Sequence, residues 1–342
     1  MHDQIESILM IRRGAIGDII FTLPAYYLLR ANFPNSKISF LVKENYAQVL
    51  KGFPGLDEVW VTQNKSKNVL KLWEAGSDIL DKVKNSKFQL AIDFSGNSGN
   101  AVLLWLSGIK HRWGSIKSSN TLRERLYTNT VVRLSSLDSP VSDLPDLHRI
   151  DQNLLLLKKG GLTRLPVKNE YIIPQENQEK ANMLFSNWGL FLQKPVVFIQ
   201  PFTGDGIAGK AWPLERYVTL AEYWRNQSLQ VVFGGGPEDR EKLSAVAERF
   251  PVAAGQTDFV TSVGLTVLSS IVIGGDTGLM HAALAAGKRT VMLVGPTDHR
   301  RIGPYRHPEW AIRPQQGKLV ADISVEQVIE ATKTALDEVS AR

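Results

Sequence analysis

Apolar residues recur along this chain in short runs, each closed by small or polar residues and followed by a longer amphipathic stretch. The first run, residues 7–11 (SILMI), ends in Arg12-Arg13-Gly14-Ala15-Ile16-Gly17-Asp18. It predicts a strand, a Gly-x-x-Gly-Asp turn and a helix over 24–32 that stops before Pro34, with Thr22 as its candidate cap. Residues 37–42 (KISFLV), 58–61 and 89–94 (QLAIDF) predict further strands, and 69–83 a helix between them. A polar and basic region follows over 110–133, then a loop rich in Ser, Asp and Pro at 135–145. A helix over 148–159 ends at Gly160-Gly161. Residues 166–194 read as a connection with an outer helix.

A second series begins at 195–200 (PVVFIQ). It continues with a helix over 214–225, a strand at 230–233, a helix after Gly234-Gly235-Gly236-Pro237, a strand from 270, a helix to Ala286 and a strand at 290–294. A capped helix over 324–339 closes the pattern. Strands alternating with helices imply α/β architecture with parallel sheets and right-handed crossovers. Two such series in 342 residues suit two domains of roughly 150 residues each. Open α/β sheets bind ligands beyond the carboxyl ends of their strands, so two in tandem place the expected site in a cleft between those edges.

Composition narrows the chemistry. Cysteine is absent from the sequence, which removes disulfides, thiol nucleophiles and thiolate metal ligands. It fits a reducing compartment, and the cytoplasm is the expectation. No signal-peptide pattern opens the chain and no run approaches the roughly 18 apolar residues of a membrane span. The net charge of +6 is uneven: residues 1–165 hold 22 Lys and Arg against 15 Asp and Glu, and residues 166–342 hold 18 against 19. The first half favours an anionic partner, whether a polyanionic substrate or an acidic lipid surface. Nothing resembles a zinc finger, a helix-turn-helix or an aromatic RNA-binding strand, so nucleic acid is not expected.

The stretch with most chemistry is Gly274-Gly275-Asp276-Thr277-Gly278-Leu279-Met280-His281. A strand, sharp turn and small-residue helix leave the leading helix amides without internal partners at the positive end of the dipole, where a phosphate fits. Taken alone, the same residues also read as a tight turn, with Asp276 or Thr277 a cap and His281 a satisfied semi-buried side chain. Lys210, in Gly209-Lys210-Ala211-Trp212-Pro213, offers a cation before a helix, and residues 203–206 a hydroxyl and pliant backbone. Glu238, just past the glycines, stands where a carboxylate accepts from ribose hydroxyls. Together these describe a nucleoside-diphosphate site, although Lys210 also reads as surface charge and Glu238 as first-turn charge.

In the first half, Asp18 lies after the first strand. It is either a base that takes a proton from an attacking hydroxyl or a helix cap. Arg12, Arg13, Arg112, Arg123 and Arg125 are candidates for acceptor carboxylates or phosphates, each equally readable as surface charge. No Gly-x-Gly-x-x-Gly follows the first strand, and no Walker loop, His-Glu-x-x-His or Gly-x-Ser-x-Gly occurs. The stretch 95–99 (SGNSG) reads as a loop. No paired-carboxylate stretch suggests a metal, so none is expected, and no cofactor beyond the donor substrate.

With these residues in place, the chain resembles the heptosyltransferase family, glycosyltransferase family 9, over nearly its whole length. The resemblance rests on Gly14-Ala15-Ile16-Gly17-Asp18 with Thr22-Leu23-Pro24-Ala25, on Lys210-Ala211-Trp212-Pro213 and on Gly234-Gly235-Gly236-Pro237-Glu238. Gly275-Asp276-Thr277-Gly278-Leu279-Met280-His281 and Gly295-Pro296-Thr297-Asp298 complete it. It implies a GT-B fold, two Rossmann-like doubly wound parallel-sheet domains facing across a cleft. These would span 1–165 for the acceptor and 195–323 for the nucleotide sugar, with 166–194 the connection and the terminal helix, 324–342, packing back on the first domain.

The resemblance also implies inverting, metal-independent transfer of heptose from ADP-heptose to a lipopolysaccharide inner-core acceptor. The expected location is cytoplasmic, peripheral at the inner face of the inner membrane. Asp18 resembles the family's catalytic base. Thr203 and Lys210 resemble its diphosphate contacts, Glu238 the ribose contact, and Asp276, Thr277, Gly278, Leu279 and His281 the rest of the donor site. Residues 204–209 form a longer loop than the family pattern, and Phe21 stands where several members carry histidine. Another nucleotide sugar or acceptor on the same architecture, a nucleotide-sugar 2-epimerase and a non-catalytic nucleotide-binding protein are the competing readings.

Overall fold

The computed structural model describes residues 5–62, 69–116, 122–132, 147–163, 168–204 and 208–340. The Ser/Asp/Pro-rich loop at 135–145, residues 117–121 of the basic region, 166–167 of the expected connection and 205–207 of the loop before Lys210 lie outside the described residues. The chain divides into two compact units, Met1–Leu134 with Arg149–Asn169, and Ser135–His148 with Glu170–Arg342.

The first unit runs β1 (Ser7–Ile11), α1 (Ile16–Ile20), α2 (Leu23–Asn32), β2 (Lys37–Lys43), β3 (Glu58–Thr62), α3 (Val69–Asn85), β4 (Leu90–Asp93), α4 (Ser98–Leu106), β5 (His111–Ile116), β6 (Asn129–Val132) and α5 (Arg149–Lys159). Its strands pair in the order β3-β2-β1-β4-β5-β6, every pair parallel. Central strands of a parallel sheet are covered on both faces, which is why Ile8–Ile11 and all of β4 are buried and read as continuous apolar runs.

The second unit runs α6 (Gln175–Asn187), β7 (Val196–Gln200), α7 (Leu214–Asn226), β8 (Gln230–Phe233), α8 (Ser244–Ala247), α9 (Phe259–Leu268), β9 (Ile271–Gly275), α10 (Gly278–Ala285), β10 (Thr290–Leu293), α11 (His299–Ile302), β11 (Ala311–Ile312) and α12 (Val325–Ser340). Its order is β11-β10-β9-β7-β8, again parallel throughout. Strands β7 and β9 are buried along their whole length in the middle of the sheet.

Helix α12, expected to pack back on the first domain, packs on α7, β9, β10 and β11 within the second unit. Its Val328 and Ala335 are fully buried in one core with Trp212, Leu220 and Val291, and Glu338 pairs with Arg289 at 2.7 Å. The second sheet thus occupies the helix's apolar stripe. The outer helix expected within 166–194 is α6, Gln175–Asn187. Helix α6 packs on α9, with Asn177 Nδ2 donating to Thr261 Oγ1 at 2.9 Å.

Thr22 stands at the cap position of α2, but its hydroxyl donates to the Ile19 carbonyl at 2.7 Å rather than accepting from the helix. The polar region 110–133 contains two strands, β5 and β6. Only the first two residues of the turn 95–99 precede the Asn97 cap of α4, whose side chain accepts from the Asn100 amide at 2.8 Å. Among the described residues no helix is long and apolar enough to cross a membrane.

Candidate functional site

Strand β9 delivers its carboxyl end at Gly275, and α10 begins three residues later. Thr277 caps α10, its hydroxyl accepting from the Met280 amide at 3.5 Å. Asp276 is therefore free of the capping role that the sequence left open. Its carboxylate turns to side chains. One oxygen meets His281 Nε2 at 2.9 Å, and the other accepts from Lys210 Nζ at 2.6 Å and from Thr297 Oγ1 at 3.4 Å.

These groups are shielded from water: side-chain exposure is 10% for Asp276, 14% for Lys210 and 4% for His281. Burial pushes the Asp276 pKa up, but the His281 bond and charge and the Lys210 charge outweigh it and hold the carboxyl at about 2. Asp276 thus carries a full negative charge at neutral pH, which fixes the Lys210 ammonium beside the start of α10.

The approach of the β7 loop depends on one glycine. A Cβ on Gly275 would stand 2.6 Å from Thr203 Cγ2 and 3.7 Å from the Lys210 carbonyl oxygen. A side chain there would push Thr203 away, while the Lys210 backbone already lies at van der Waals distance. With Gly275 bare, the structure brings together Thr203, Lys210, Asp276, Thr277 and His281 at the carboxyl end of β7 and β9, with Gly278 and Leu279 heading α10. The leading amides of a helix and an ammonium beside them are a cradle for phosphate oxygens. Glu238 lies in a 3-10 turn, Pro237–Asp239, beyond β8, the neighbour of β7. It is exposed and folds back over Gly236, whose missing Cβ would collide with the Glu238 carboxylate. Adjacent strands lie about 5 Å apart, so Glu238 and the β7–β9 cluster share one sheet edge.

In the first unit, Asp18 lies inside α1, which Ala15 rather than Asp18 precedes as the capping residue. The alternative reading of Asp18 as a cap therefore falls. Its carboxylate, 26% exposed, forms an ion pair with Arg12. Arg12 is itself buried and donates through its other terminal nitrogen to the Phe94 carbonyl at 2.7 Å. Gly14, at φ +143°, allows the turn to Asp18 to pass under Tyr46, whose ring a Cβ there would strike.

Beside it, at the end of β4, Asp93 is fully buried. It accepts from the Tyr127 hydroxyl at 2.7 Å, Asn100 Nδ2 at 3.0 Å and the Ser95 amide at 2.8 Å. Burial raises its pKa and these donors oppose the rise. The neighbouring Arg13 guanidinium is shifted down by burial, with the Asp93 charge acting against that shift.

A model of glycosyltransferase family 9, described as heptosyltransferase, matches residues 78–326. The chain belongs to glycosyltransferase family 9. A Haemophilus influenzae protein whose name gives a glycosyltransferase without a stated donor is 27% identical, over 84% of this chain and 81% of its own. A solved family 9 glycosyltransferase of Veillonella parvula superposes with a TM-score of 0.81 at 24% identity, covering 99% of each chain. An Escherichia coli structure named as an ADP-heptose lipopolysaccharide heptosyltransferase II gives 0.76 at 19%, covering 97% of this chain and 99% of its own. The fold is GT-B, and this family 9 protein is a glycosyltransferase.

The family match contains Lys210, Glu238 and 276–281, and Asp18 precedes it. Of the five arginines proposed for the acceptor, the structure separates one from Asp18. Arg112, the second residue of β5, lies at the amino edge of the sheet and donates to the backbone carbonyls of Leu126, at 2.9 Å, and Ile109. It clamps the β5–β6 connection, so its fork is turned away from the carboxyl edge. Arg12 is buried against Asp18, and Arg13 is half-buried beside Asp93. Arg123 donates to the Gly96 carbonyl at 2.9 Å, and Arg125 is exposed.

Sequence reasoning missed Thr297 and the Asp93–Tyr127–Asn100 group. Thr297 was visible only as part of Gly-Pro-Thr-Asp. Tyr127 and Asn100 reach Asp93 from positions 34 and 7 residues away, a proximity that no local pattern encodes.

Proposed function

We propose that this enzyme transfers heptose from ADP-heptose to a lipopolysaccharide inner-core acceptor, with inversion and without a metal, at the cytoplasmic face of the inner membrane. The observation that carries the reading is the Lys210–Asp276–His281 cluster beside Thr203 and the leading amides of α10, in a chain of a heptosyltransferase family. The name of the E. coli neighbour, which specifies ADP-heptose and lipopolysaccharide, supports the choice of donor and acceptor.

In this reading the acceptor oxygen attacks the anomeric carbon as the bond from that carbon to the diphosphate oxygen breaks. The hydroxyl proton passes to the Asp18 carboxylate. The electron pair leaves with ADP, whose growing charge meets Lys210 and the α10 amides. Glu238 accepts from the ribose. Asp276 acts on the donor indirectly, because both its oxygens are taken by Lys210, His281 and Thr297. It holds the groups that touch phosphate.

The first test is thermal stabilisation of the purified protein by ADP, UDP, GDP, CDP and NAD at equal concentration. ADP at about a hundred times its Kd contributes roughly 2.7 kcal/mol, and the others much less. Stabilisation by UDP instead of ADP would remove the heptose assignment while leaving the glycosyltransferase. Within the same site, Lys210→Ala is expected to weaken ADP binding about tenfold or more, read by calorimetry. Unchanged affinity would take Lys210 out of the diphosphate site.

A further inference from the structure

Helix α4 breaks the rule that the outward face of a helix on an α/β sheet is polar. Its sequence, SGNAVLLWL, contains no charged residue. Ala101, Leu103 and Leu104 point inward and are buried with Leu9 and Ala91 of the first core. The other face is also apolar: Val102 is 43% exposed, Trp105 54% and Leu106 45%. Positions 102, 105 and 106 follow the i, i+3, i+4 spacing and form one stripe. Leu122, 77% exposed, stands just before the short helical turn Glu124–Leu126 that contacts α4. Core packing does not account for a tryptophan and three aliphatic side chains facing water together.

The chain that follows this stripe is cationic. Among the described residues between α4 and Leu126, Lys110, Arg112, Arg123 and Arg125 stand against one carboxylate, Glu124. Lys110 and Arg125 are exposed, and Arg123 is tied to the Gly96 carbonyl at the foot of α4. An apolar stripe carrying tryptophan, followed by Lys and Arg, suits the boundary between acyl chains and anionic headgroups. A second copy of this chain would bring the same positive segment against itself, so charge favours the bilayer as occupant.

We propose that the outer face of α4, centred on Trp105 and Leu106 and followed by Lys110 and Arg125, docks the enzyme on an anionic lipid bilayer. This surface is separate from the groups assigned to donor chemistry, so the docking stands or falls independently of the sugar and nucleotide. It has a functional consequence: α4 follows directly from β4 and the Asp93 turn, so docking would hold the first unit's site edge at a fixed height over a lipid-borne acceptor.

The test is co-sedimentation of the full chain with vesicles of phosphatidylcholine alone or mixed with phosphatidylglycerol. The wild type is expected to partition at least about tenfold better onto the anionic vesicles, with the advantage falling as salt rises. The double variant Trp105→Ser/Leu106→Ser should lose at least about tenfold of that partitioning, and Lys110→Glu should lose severalfold. Melting temperature and ADP affinity serve as controls and should stay at wild-type values in both variants. The proposal is overturned if the wild type ignores anionic vesicles, or if the double variant binds them as well as the wild type. It is also overturned if the wild type is a dimer by analytical ultracentrifugation that the double variant dissolves, since the stripe would then face a second copy. Loss of ADP binding by the wild type would count against the proposed donor and not against this surface.

Discussion

Asp18→Asn is expected to lower turnover at least about a hundredfold while leaving ADP affinity within about twofold of the wild type. The amide matches the carboxylate in size but cannot take the acceptor proton. The residues proposed to hold the nucleotide all lie in the other unit, which is why binding should survive. The structure sharpens the experiment in two ways. Asp18 is not the cap of α1, so the substitution does not unfasten a helix. It does pair with buried Arg12, so a stability cost of about 1–3 kcal/mol is expected from leaving that guanidinium with a neutral partner. Melting curves must therefore precede the kinetics, and Arg12→Ala supplies the control. A merely structural Asp18 would give both variants similar melting temperatures and similar, modest losses of turnover. Full turnover in Asp18→Asn would remove the base from this position. Asp93 could not simply replace it, because its oxygens already accept from Tyr127, Asn100 and the Ser95 amide.

What could be read from the sequence follows from where the information is local. Runs such as Val196–Gln200 and Ile271–Gly275 announce themselves because central parallel strands are buried on both faces. Strand β5, His111–Ile116, does not, since it begins with two basic residues. Its Trp113 packs beneath Gly160, and its Gly114 lies against the Tyr127 ring, where a Cβ would stand 2.5 Å away. Those contacts replace the apolar run that would have marked it. The packing of α12 is likewise not local information: its amphipathic stripe is plain, but only the tertiary contacts show that the second sheet covers it.

The site divides in the same way. Lys210, Thr277 and His281 were legible because each sits at a fixed offset from a glycine-rich turn. That Asp276 clasps Lys210 from 66 positions away, with Thr297 on the same oxygen, is a tertiary fact. It makes Asp276 the anchor of Lys210 and His281. Arg112 shows the converse, a cation whose residue type suggested a ligand and whose bonds to two backbone carbonyls make it a clamp.

Asp276→Ala should then be the most destabilising substitution in the Lys210–Asp276–His281 cluster, costing the unliganded protein about 3–5 kcal/mol. Without the carboxylate, the Lys210 ammonium and His281, both largely buried, share the positive end of α10 with no counter-charge. The loss should be read on the second unit's unfolding transition, since two units need not unfold together. Its pH dependence separates this account from simple cavity formation. The Asp276 pKa is about 2 in the fold against 3.8 as the ordinary value, so its charge stabilises the protein fully above pH 4. About 2 kcal/mol of that contribution is lost as pH falls through the interval to 2. The gap between wild type and variant should accordingly narrow over that interval, whereas a cavity alone would leave it constant. Coupling gives a second readout: the Asp276→Ala/Lys210→Ala double variant should be destabilised by less than the sum of the single losses, because the first substitution strands the charge that the second removes. Strict additivity would mean that the 2.6 Å ion pair contributes nothing to holding Lys210 in place.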